Sequence, residues 1–480
     1  MAKQQVNRRF WRLAGVVGIS LLMSGCFFSG PVRKVSLPSP PKQVQAPRDH
    51  QRILASYGGA YSDARLEATV ARIVTRLSAA AGKPDLRYKV TILNSPAVNA
   101  FALPNGQLYV TRGLIALAND TAELASVLAH EMVHVMARHA AIRENQAYQA
   151  AIGNRETTDV LADPYMGALA LAKSKIALAT FSRAQEFEAD SLGIGIAARA
   201  GYDPDGAARF LTSLDRNVHL KPNDGRTDPQ LLDFVSHPAN PERVDNAQAQ
   251  ARQQRAAEGG EREHDAYLAG LDGLLYGDDP NQGYVRGRRF MHPKFGFTFT
   301  APEGFVLENT AHAVLGRKGG GSQTLRLDVV RVPAEQPLVN YLASGWIDNV
   351  NPTSVEEVTV NGFPAVTATA RGDQWSFRVY LVRFGIEVYR VIFAAKEESP
   401  DTDRIFRDSF NTFRHMRLAE IETAKPLRLA VVTVGPDDTV ERLASRMAIA
   451  DRQIEHFRML NGLAPGQTVN PGERVKIVVE

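Results

Sequence analysis

The chain has a single cysteine, Cys26, among its 480 residues, so no intramolecular disulfide can form. Its formal net charge is only +4, and no block rich in lysine and arginine follows the first dozen residues. The composition therefore lacks the electrostatic footprint of a nucleic-acid-binding protein, and we expect no nucleic-acid partner. The apolar stretch Leu13–Met23 is too short to span a bilayer as a helix. The length, in contrast, predicts several domains, because single hydrophobic cores stop growing at about 300 residues.

The N-terminus has the order of a bacterial lipoprotein signal. Basic residues precede the apolar stretch, and the small residues Ser24-Gly25 lead directly into Cys26. Small residues before a lone cysteine resemble the lipobox, in which the cysteine is acylated and becomes the first residue of the mature chain. We predict a signal peptide over residues 1–25, a lipid on Cys26 that binds a membrane, and a proline-rich tether over residues 26–50. The expected localisation is the outer membrane, facing the periplasm.

A metal-binding pattern lies in the predicted helical stretch Thr121–Arg143. In the string His130-Glu131-Met132-Val133-His134, two imidazoles stand four residues apart, so both project from one helix face and can bind one metal ion. Glu131 lies on the flank of that face, where it can reach the attacking water. The alternative is a solvated helix with two ordinary histidines. Because a catalytic zinc takes three protein ligands, a third must come from elsewhere in the chain.

A second predicted helix, Ser182–Asp190, offers carboxylates for that role. Glu186 and Asp190 are four residues apart and share a face, one as a ligand and one as an acceptor for the free ring N–H of a histidine. Glu188 is another candidate ligand. His139 comes five residues after His134, about 140° around a continuous helix, and is interpreted as a structural residue.

Four strings, in the same chain order, resemble the HtpX/BepA group of gluzincin metalloproteases, which are relatives of the CAAX prenyl protease. The strings are Tyr57–Tyr61, Asn99–Gly106, His130–His139 and Phe181–Gly193. The resemblance implies a mainly helical zinc metalloprotease domain with a small sheet, assigned to residues 51–263.

The same resemblance implies roles for single residues. His130, His134 and Glu186 would hold one zinc ion per chain, since the family spacing Glu-x-x-x-Asp selects Glu186 over Glu188. Glu131 would be the general base, and Asp190 the carboxylate that supports a ligand.

A His-Pro element, Ser236-His237-Pro238 with Arg243 six residues after the histidine, is also similar to the family's pattern. The resemblance makes His237 and Arg243 candidates for stabilising the negative charge that develops on the tetrahedral oxygen. In BepA-like relatives the corresponding histidine can instead occupy the zinc. His237 is therefore alternatively a fourth ligand in a resting enzyme.

Residues 284–420 show no repeat period and no catalytic constellation. Alternating apolar and polar residues predict antiparallel strands in an α+β domain, with a helix near Ile405–Met416. The strands are predicted within Phe290–Phe305, Thr324–Val332, Val355–Thr369 and Ser376–Ala395. The string His292–Phe305 resembles PsbP-like sandwich domains, and substrate or partner binding is the expected role.

The last segment, residues 427–480, resembles a LysM module, a βααβ unit that binds N-acetylglucosamine polymers such as peptidoglycan. Asp437–Val440, Asn461–Leu463 and Pro471–Ile477 carry the resemblance, although Asp-Asp-Thr replaces the usual Gly-Asp-Thr. Phe457 is its one aromatic residue, so it offers little surface for sugar stacking. Peptidoglycan is a candidate partner.

The sequence as a whole predicts an α+β multidomain lipoprotein. Its predicted function is that of a zinc metalloendopeptidase that hydrolyses misfolded or stalled envelope proteins, with protein or peptide substrates received along an edge strand near Phe101–Thr111. The alternative is a chaperone-like or peptidoglycan-binding envelope factor with a gated or idle zinc site.

Overall fold

A computed structural model describes residues 46–142, 183–220, 237, 239–255 and 259–480. The predicted signal peptide, Cys26 and the tether up to residue 45 lie outside these residues, as do Ser236 and Pro238 of the His-Pro element. The last five residues of the predicted tether are helical, because helix α1 begins at Ala46. Proline is favoured in the first turn of a helix, so Pro47 starts α1 and does not continue an extended spacer.

Helices surround a three-stranded sheet in the first part of the described chain, as predicted. The helices are α1 Ala46–Ser56, α2 Ala64–Ala81, α3 Arg112–Leu117, α4 Thr121–Met136, α5 Arg183–Arg199, α6 Gly206–Leu220, α7 Pro241–Gln254 and α8 His264–Leu271. The strands are β1 Lys89–Leu93, β2 Ala100–Ala102 and β3 Gln107–Thr111.

The order of this sheet corrects the predicted edge strand. Strand β3 is central, pairing in parallel with β1 and antiparallel with β2. Strand β3, which is part of the predicted segment Phe101–Thr111, therefore has both of its edges paired with other strands. Strand β2 has one partner among the described residues and lies against α4, so β2 is the edge that an extended peptide could pair with.

Helix α4 is central to the fold and shorter than predicted. Asp120 caps its N-terminus by accepting a hydrogen bond from the backbone N–H of Glu123 at 2.8 Å. The helix was expected to reach Arg143 but ends at Met136, because Arg138 adopts a left-handed conformation with φ of +54°. The chain changes direction there, so helical angles counted beyond Met136 do not apply.

Helix α7 lies near the end of the predicted protease domain, residues 51–263. Helix α7 begins at Pro241, after an Asn240 cap, and ends at Gln254. Glu261 forms a β-bridge with Tyr202.

A sheet-rich region follows, as the alternating pattern predicted. Its strands are β5 Tyr284–Arg286, β6 Arg289–His292, β7 Phe297–Thr300, β8 Phe305–Asn309, β9 Ala313–Lys318, β10 Gln323–Arg331, β11 Glu356–Val360, β12 Phe363–Arg371, β13 Ser376–Phe384, β14 Glu387–Ala395 and β15 Arg414–His415. Its helices are α9 Leu338–Leu342, α10 Pro400–Phe410 and α11 Leu418–Thr423, with a 3₁₀ turn at Pro352–Ser354.

These strands form two antiparallel sheets around an aromatic core. One sheet has the order β11-β12-β13-β14-β10-β9-β8 and the other β15-β7-β6-β5. Phe297, Phe393 and Phe410 are among the buried core residues. The predicted run Ser376–Ala395 is a hairpin, because Gly385 takes a left-handed turn conformation with φ of +63°. The resemblance to PsbP-like domains stays a prediction.

The C-terminal segment has the predicted βααβ order, with β16 Leu427–Thr433, α12 Val440–Ser445, α13 Gln453–Leu460 and β17 Arg474–Val479. Strand β16 pairs with β17 and also with β4 Leu275–Tyr276. The segment shares one hydrophobic core with α2, α3 and α4, to which it contributes the buried Phe457. It is therefore packed into the first part of the chain, while its resemblance to LysM stays a prediction.

The described residues between 46 and 480 form one compact unit. Among the described residues, no helix combines the length and apolar character needed to cross a membrane.

Candidate metal centre

Helices α4 and α5 bring the predicted metal ligands together. Helix α4 carries His130, Glu131 and His134, and α5 carries Glu186 and Asp190. The two helices pack closely because Gly193 of α5 faces the backbone of α4. A Cβ atom on Gly193 would lie 3.1 Å from the His130 nitrogen and 3.2 Å from its Cα. Gly193 therefore sets the helix separation at which a carboxylate on α5 reaches the histidines on α4.

The side chains of His130, His134, Glu186 and His237 converge on one point, with one donor atom from each within 4.8 Å of the others. The Nε2 atom of His130 lies 3.0 Å from His134 Nε2 and 3.2 Å from His237 Nδ1. The Glu186 carboxylate lies 2.9 Å from His237 Nδ1, 3.5 Å from His130 Nε2 and 3.7 Å from His134 Nε2.

These separations test whether the site fits zinc. Four donors at the usual zinc distances, about 2.0–2.1 Å from a tetrahedral centre, would lie about 3.3 Å from one another. The five measured separations scatter around that value, and three imidazoles with one carboxylate are suitable zinc donors. The residues present therefore fit a zinc ion, with His237 as a fourth donor beside the three predicted ligands.

Asp190 and Arg243 contact residues that provide these donors. Asp190 Oδ1 lies 2.8 Å from Nδ1 of His130, the ring nitrogen that faces away from the other donors. Arg243 donates two hydrogen bonds to Asp190, from Nε and Nη2, both at 2.7 Å. Its Nη1 lies 3.0 Å from Oε2 of Glu186. Arg243 thus contacts the carboxylates of both Asp190 and Glu186. This contact pattern favours a positioning role over the predicted contact with a transition-state oxygen.

The electrostatics of these carboxylates follow from burial and charge together. Burial alone would raise the pKa of Asp190, but the contacts with Arg243 and His130 hold it below its usual value. Burial likewise opposes ionisation of Glu186, whereas His237 and His130 lower its pKa. Both carboxylates are therefore kept as anions, the form that a ligand and its support require.

Glu131 stands beside the cluster with its carboxylate almost fully buried. Its Oε1 lies 3.4 Å from His237 Nε2. Burial raises the pKa of Glu131, and the charges of His237 and His130 oppose this. A raised carboxyl pKa suits a general base, which must hold a proton briefly and then release it.

His139 contacts His134, which corrects its expected position about 140° around the helix, and it is not one of the four converging donors. The turn at Arg138 brings the Nδ1 atom of His139 to 2.8 Å from the Nδ1 atom of His134. On its other side, His139 Nε2 lies 3.3 Å from Oε2 of Glu188. The prediction failed because it assumed one continuous helix, and no local sequence signal marks the left-handed Arg138.

A metal bound by His134 would fix the tautomers of both His134 and His139. If His134 binds through Nε2, its Nδ1 carries the hydrogen and donates to His139 Nδ1. His139 then carries its hydrogen on Nε2 and donates to Glu188. Glu188 therefore supports His134 through His139, and it is not one of the four converging donors.

A partly open cavity lies beside Glu131 and the histidines. Its walls away from the metal centre are mainly apolar and come from the end of the segment before β2, from β2 and from α3, α4 and α6. The apolar side chains of the lining are Val98, Ala100, Leu114, Val127, Ala207, Phe210, Leu211 and Leu214, and Asn99 and Ser126 add polar groups. The sequence analysis did not assign α6 to the site, although its apolar residues recur at helical spacing.

Comparison with known proteins identifies the domain that contains this cluster. Residues 64–251 match peptidase family M48. The mitochondrial metalloendopeptidase OMA1 of Schizosaccharomyces pombe is 30% identical over 176 residues, which are 36% of this chain and 50% of that protein. The beta-barrel assembly-enhancing protease of Yersinia pestis is 31% identical over 193 residues, 38% of either chain. The chain therefore spans half or less of the length of these curated relatives.

A solved structure from Bacteroides thetaiotaomicron aligns with 41% of this chain and 87% of its own, at 10% identity and a TM-score of 0.24. The family match confirms the predicted resemblance to HtpX/BepA-like metalloproteases, a family that uses zinc.

Proposed function

Since residues 64–251 belong to peptidase family M48, we propose that this chain is a zinc-dependent endopeptidase. The observation that carries the proposal is the convergence of His130, His134 and Glu186 with the buried Glu131, beside a mainly apolar cavity. The same group of residues provides metal donors, a base and a place for substrate.

Each residue has a task in peptide hydrolysis. When bound, zinc supplies a Lewis acid that polarises the scissile carbonyl. Glu131 takes a proton from the attacking water and delivers it to the leaving amine. Arg243 holds Asp190 and Glu186 in place, and Asp190 orients His130. Strand β2 pairs with the substrate backbone and lays the scissile bond across α4.

We infer from the four converging donors that His237 would occupy the position that a catalytic zinc keeps open. In such a resting enzyme His237 would have to leave the cluster before the reaction begins. His237→Ala tests this role. Increased peptidase activity would support a resting ligand, whereas a large loss of kcat at full zinc occupancy would support the alternative role in stabilising the transition state.

The substrates we propose are misfolded or stalled proteins of the cell envelope, reached by a chain anchored through a lipid on Cys26. The support is the lipobox-like N-terminus together with the similarity to a beta-barrel assembly-enhancing protease. Flotation of membrane fractions on a density gradient tests the location. Recovery of the chain in the soluble pool or with the inner membrane would argue against an outer-membrane lipoprotein.

A second candidate function is that of a binding factor with an idle zinc site, chaperone-like or bound to peptidoglycan. The four-donor cluster favours it, because a zinc with His237 bound has no open position. Full replacement of the wild type in cells by Glu131→Gln would support this function. Retention of the whole chain on purified peptidoglycan would support the glycan-binding form.

Casein cleavage by protein lacking residues 1–25 is the direct test of the proposed function. We expect cleavage that a chelator abolishes and that Glu131→Gln abolishes at equal zinc content. Because Glu131 is not among the metal donors, zinc content separates a lost base from a lost metal site. If zinc is bound but neither wild type nor His237→Ala cleaves, the proposal fails.

A further inference from the structure

A second, partly open cavity lies close to the first one, since Val98 lines both. Pro96 and Gly113 form part of its wall, and Asn217 comes from α6. Met459 and Leu460, from helix α13 of the C-terminal segment, form another part. The cavity thus lies where the protease domain and the C-terminal segment meet, and its wall is mainly apolar.

Helix α6 runs past both cavities. Ala207, Leu211 and Leu214 line the first cavity, and Asn217 lines the second. These positions recur every three or four residues, so they lie on one face of α6. Ten residues of helix between Ala207 and Asn217 correspond to about 15 Å. An extended peptide advances about 3.3 Å per residue, so this length accommodates about four or five substrate residues.

The second cavity offers mainly apolar surface to a ligand, because the N–H groups of its one cationic side chain are already engaged. Arg112 donates to Asn94 Oδ1 at 2.9 Å and to the carbonyl oxygens of Leu275 at 3.1 Å and Gly277 at 2.5 Å. The wall therefore suits apolar side chains.

The C-terminal part of the wall is held firmly in place. Lys476 of β17 is fully buried and donates to the carbonyl oxygens of Ala116, Leu117 and Ala118, at 2.8, 3.2 and 2.8 Å. These carbonyls are at the end of α3, whose residues also line both cavities. Strand β16 pairs with β4, whose residue Tyr276 belongs to the second cavity. The wall is thus built before a ligand arrives.

We propose that the two cavities form one substrate groove, and that the C-terminal segment 427–480 builds its far end. The groove binds an extended, unfolded polypeptide through apolar side chains over about four or five residues on one side of the scissile bond. This inference rests on the proposed peptidase function. It gives the C-terminal segment a role in selecting polypeptide substrates, separate from any binding of glycan.

A series of quenched fluorescent peptides tests the groove on the zinc-loaded chain, in wild-type form or as His237→Ala if only that form cleaves. One cleavable bond is flanked by zero to six residues, alternately apolar and polar, on either its N-terminal or its C-terminal side. We expect kcat/KM to rise by about tenfold or more over the first four or five residues, on one side only, as apolar surface is buried.

A bulky side chain in the second cavity should remove the rise of kcat/KM with peptide length. Asn217 is half-buried at the wall, so Asn217→Trp adds bulk to the cavity, and Pro96→Trp does so from an exposed position if the first variant folds poorly. In both variants the ratio of kcat/KM for long over short peptides should fall towards one. Glu455→Trp, which adds the same bulk at an exposed position of α13 outside the cavity wall, should keep the wild-type ratio.

The outcomes distinguish this proposal from the one it rests on. Cleavage of casein and of all peptides with no dependence on length would overturn the groove and leave the peptidase intact. A length-dependent gain that persists in both folded Trp variants would also overturn it. Failure of every form to cleave casein or any peptide would overturn both proposals.

Discussion

The Nδ1 atoms of His134 and His139 lie 2.8 Å apart, across a turn that ends the metal-binding helix. The other nitrogen of His134, Nε2, faces the converging donors, so His139 would fix which nitrogen of His134 is available to a metal. Glu188 completes the contact at 3.3 Å from His139 Nε2. The metal centre therefore has a second support, opposite to the one that Asp190 gives His130.

His139→Ala should weaken zinc binding by about 10- to 100-fold, because such supporting contacts orient a ligand and raise its basicity. Competition with a chromogenic chelator measures the affinity. His139→Asn places an oxygen acceptor near the position of Nδ1 and should recover part of the loss. His219→Ala removes an exposed histidine and serves as the control. Equal zinc affinity in all three variants would show that His139 has no positioning role.

Two glycines of helix α5 should respond in opposite ways to alanine. A Cβ at position 193 would press on the His130 backbone at 3.1–3.2 Å, and backbone cannot rotate away. A Cβ at position 195 would meet only the end of the flexible Arg199 side chain, at 3.3 Å. Gly193→Ala should reduce the free energy of unfolding by about 1–3 kcal/mol and weaken zinc binding. Gly195→Ala should leave zinc binding unchanged and increase the free energy of unfolding by up to about 1 kcal/mol.

Urea denaturation of the metal-free variants, together with chelator competition, checks this pair. The comparison is matched because both glycines lie two residues apart on one helix and lack a positive φ. A Gly193→Ala protein with wild-type stability and zinc affinity would mean that the separation of α4 and α5 is not set by this contact.

Arg243→Lys should lower zinc affinity as well as kcat, since lysine cannot reproduce the paired hydrogen bonds to Asp190 while also contacting Glu186. Arg252→Lys, at an exposed position on the same helix, is the control. A residue that acted only on the transition state would lower kcat and leave zinc affinity unchanged. That result would restore the role predicted from the sequence.

Lys476→Met should destabilise the whole chain by about 3 kcal/mol, because it leaves buried carbonyl oxygens of Ala116 and Ala118 without their donor. Chemical denaturation measures the loss. Lys425→Met, at an exposed lysine, should change the free energy of unfolding by less than about 0.5 kcal/mol. A small effect of Lys476→Met would mean that the C-terminal segment contributes little to holding α3.

Much of the fold could be predicted where local spacing alone decides the structure. In helix α2, Leu66, Val70, Ile73, Val74 and Leu77 recur at helical spacing, and all five are buried. The helix ends at Gly82, which takes the left-handed conformation with φ of +65°. Strands β1 and β3 likewise follow the β-branched runs in the sequence, but their pairing in parallel could not be read from them.

Predictions failed where a single backbone conformation or a distant contact decides. One left-handed residue, Arg138, shortened α4 and turned His139 towards the metal centre, although arginine carries no turn signal. The C-terminal segment was treated as a separate module because its own βααβ pattern is complete. Its packing depends on Lys476, which reaches carbonyls about 360 residues earlier in the chain, and no local pattern records such a contact.

The sequence by itself determined the chemistry of the metal centre. A helix places residues four apart on one face, so the side chains of His130 and His134, and those of Glu186 and Asp190, had to project as pairs. Only the tertiary structure decided how the two pairs meet, through the close approach at Gly193, and which residues stand around them. The pairing within each helix depends on fixed helix geometry. The meeting of the two pairs depends on side chains that pack across segments far apart in the chain.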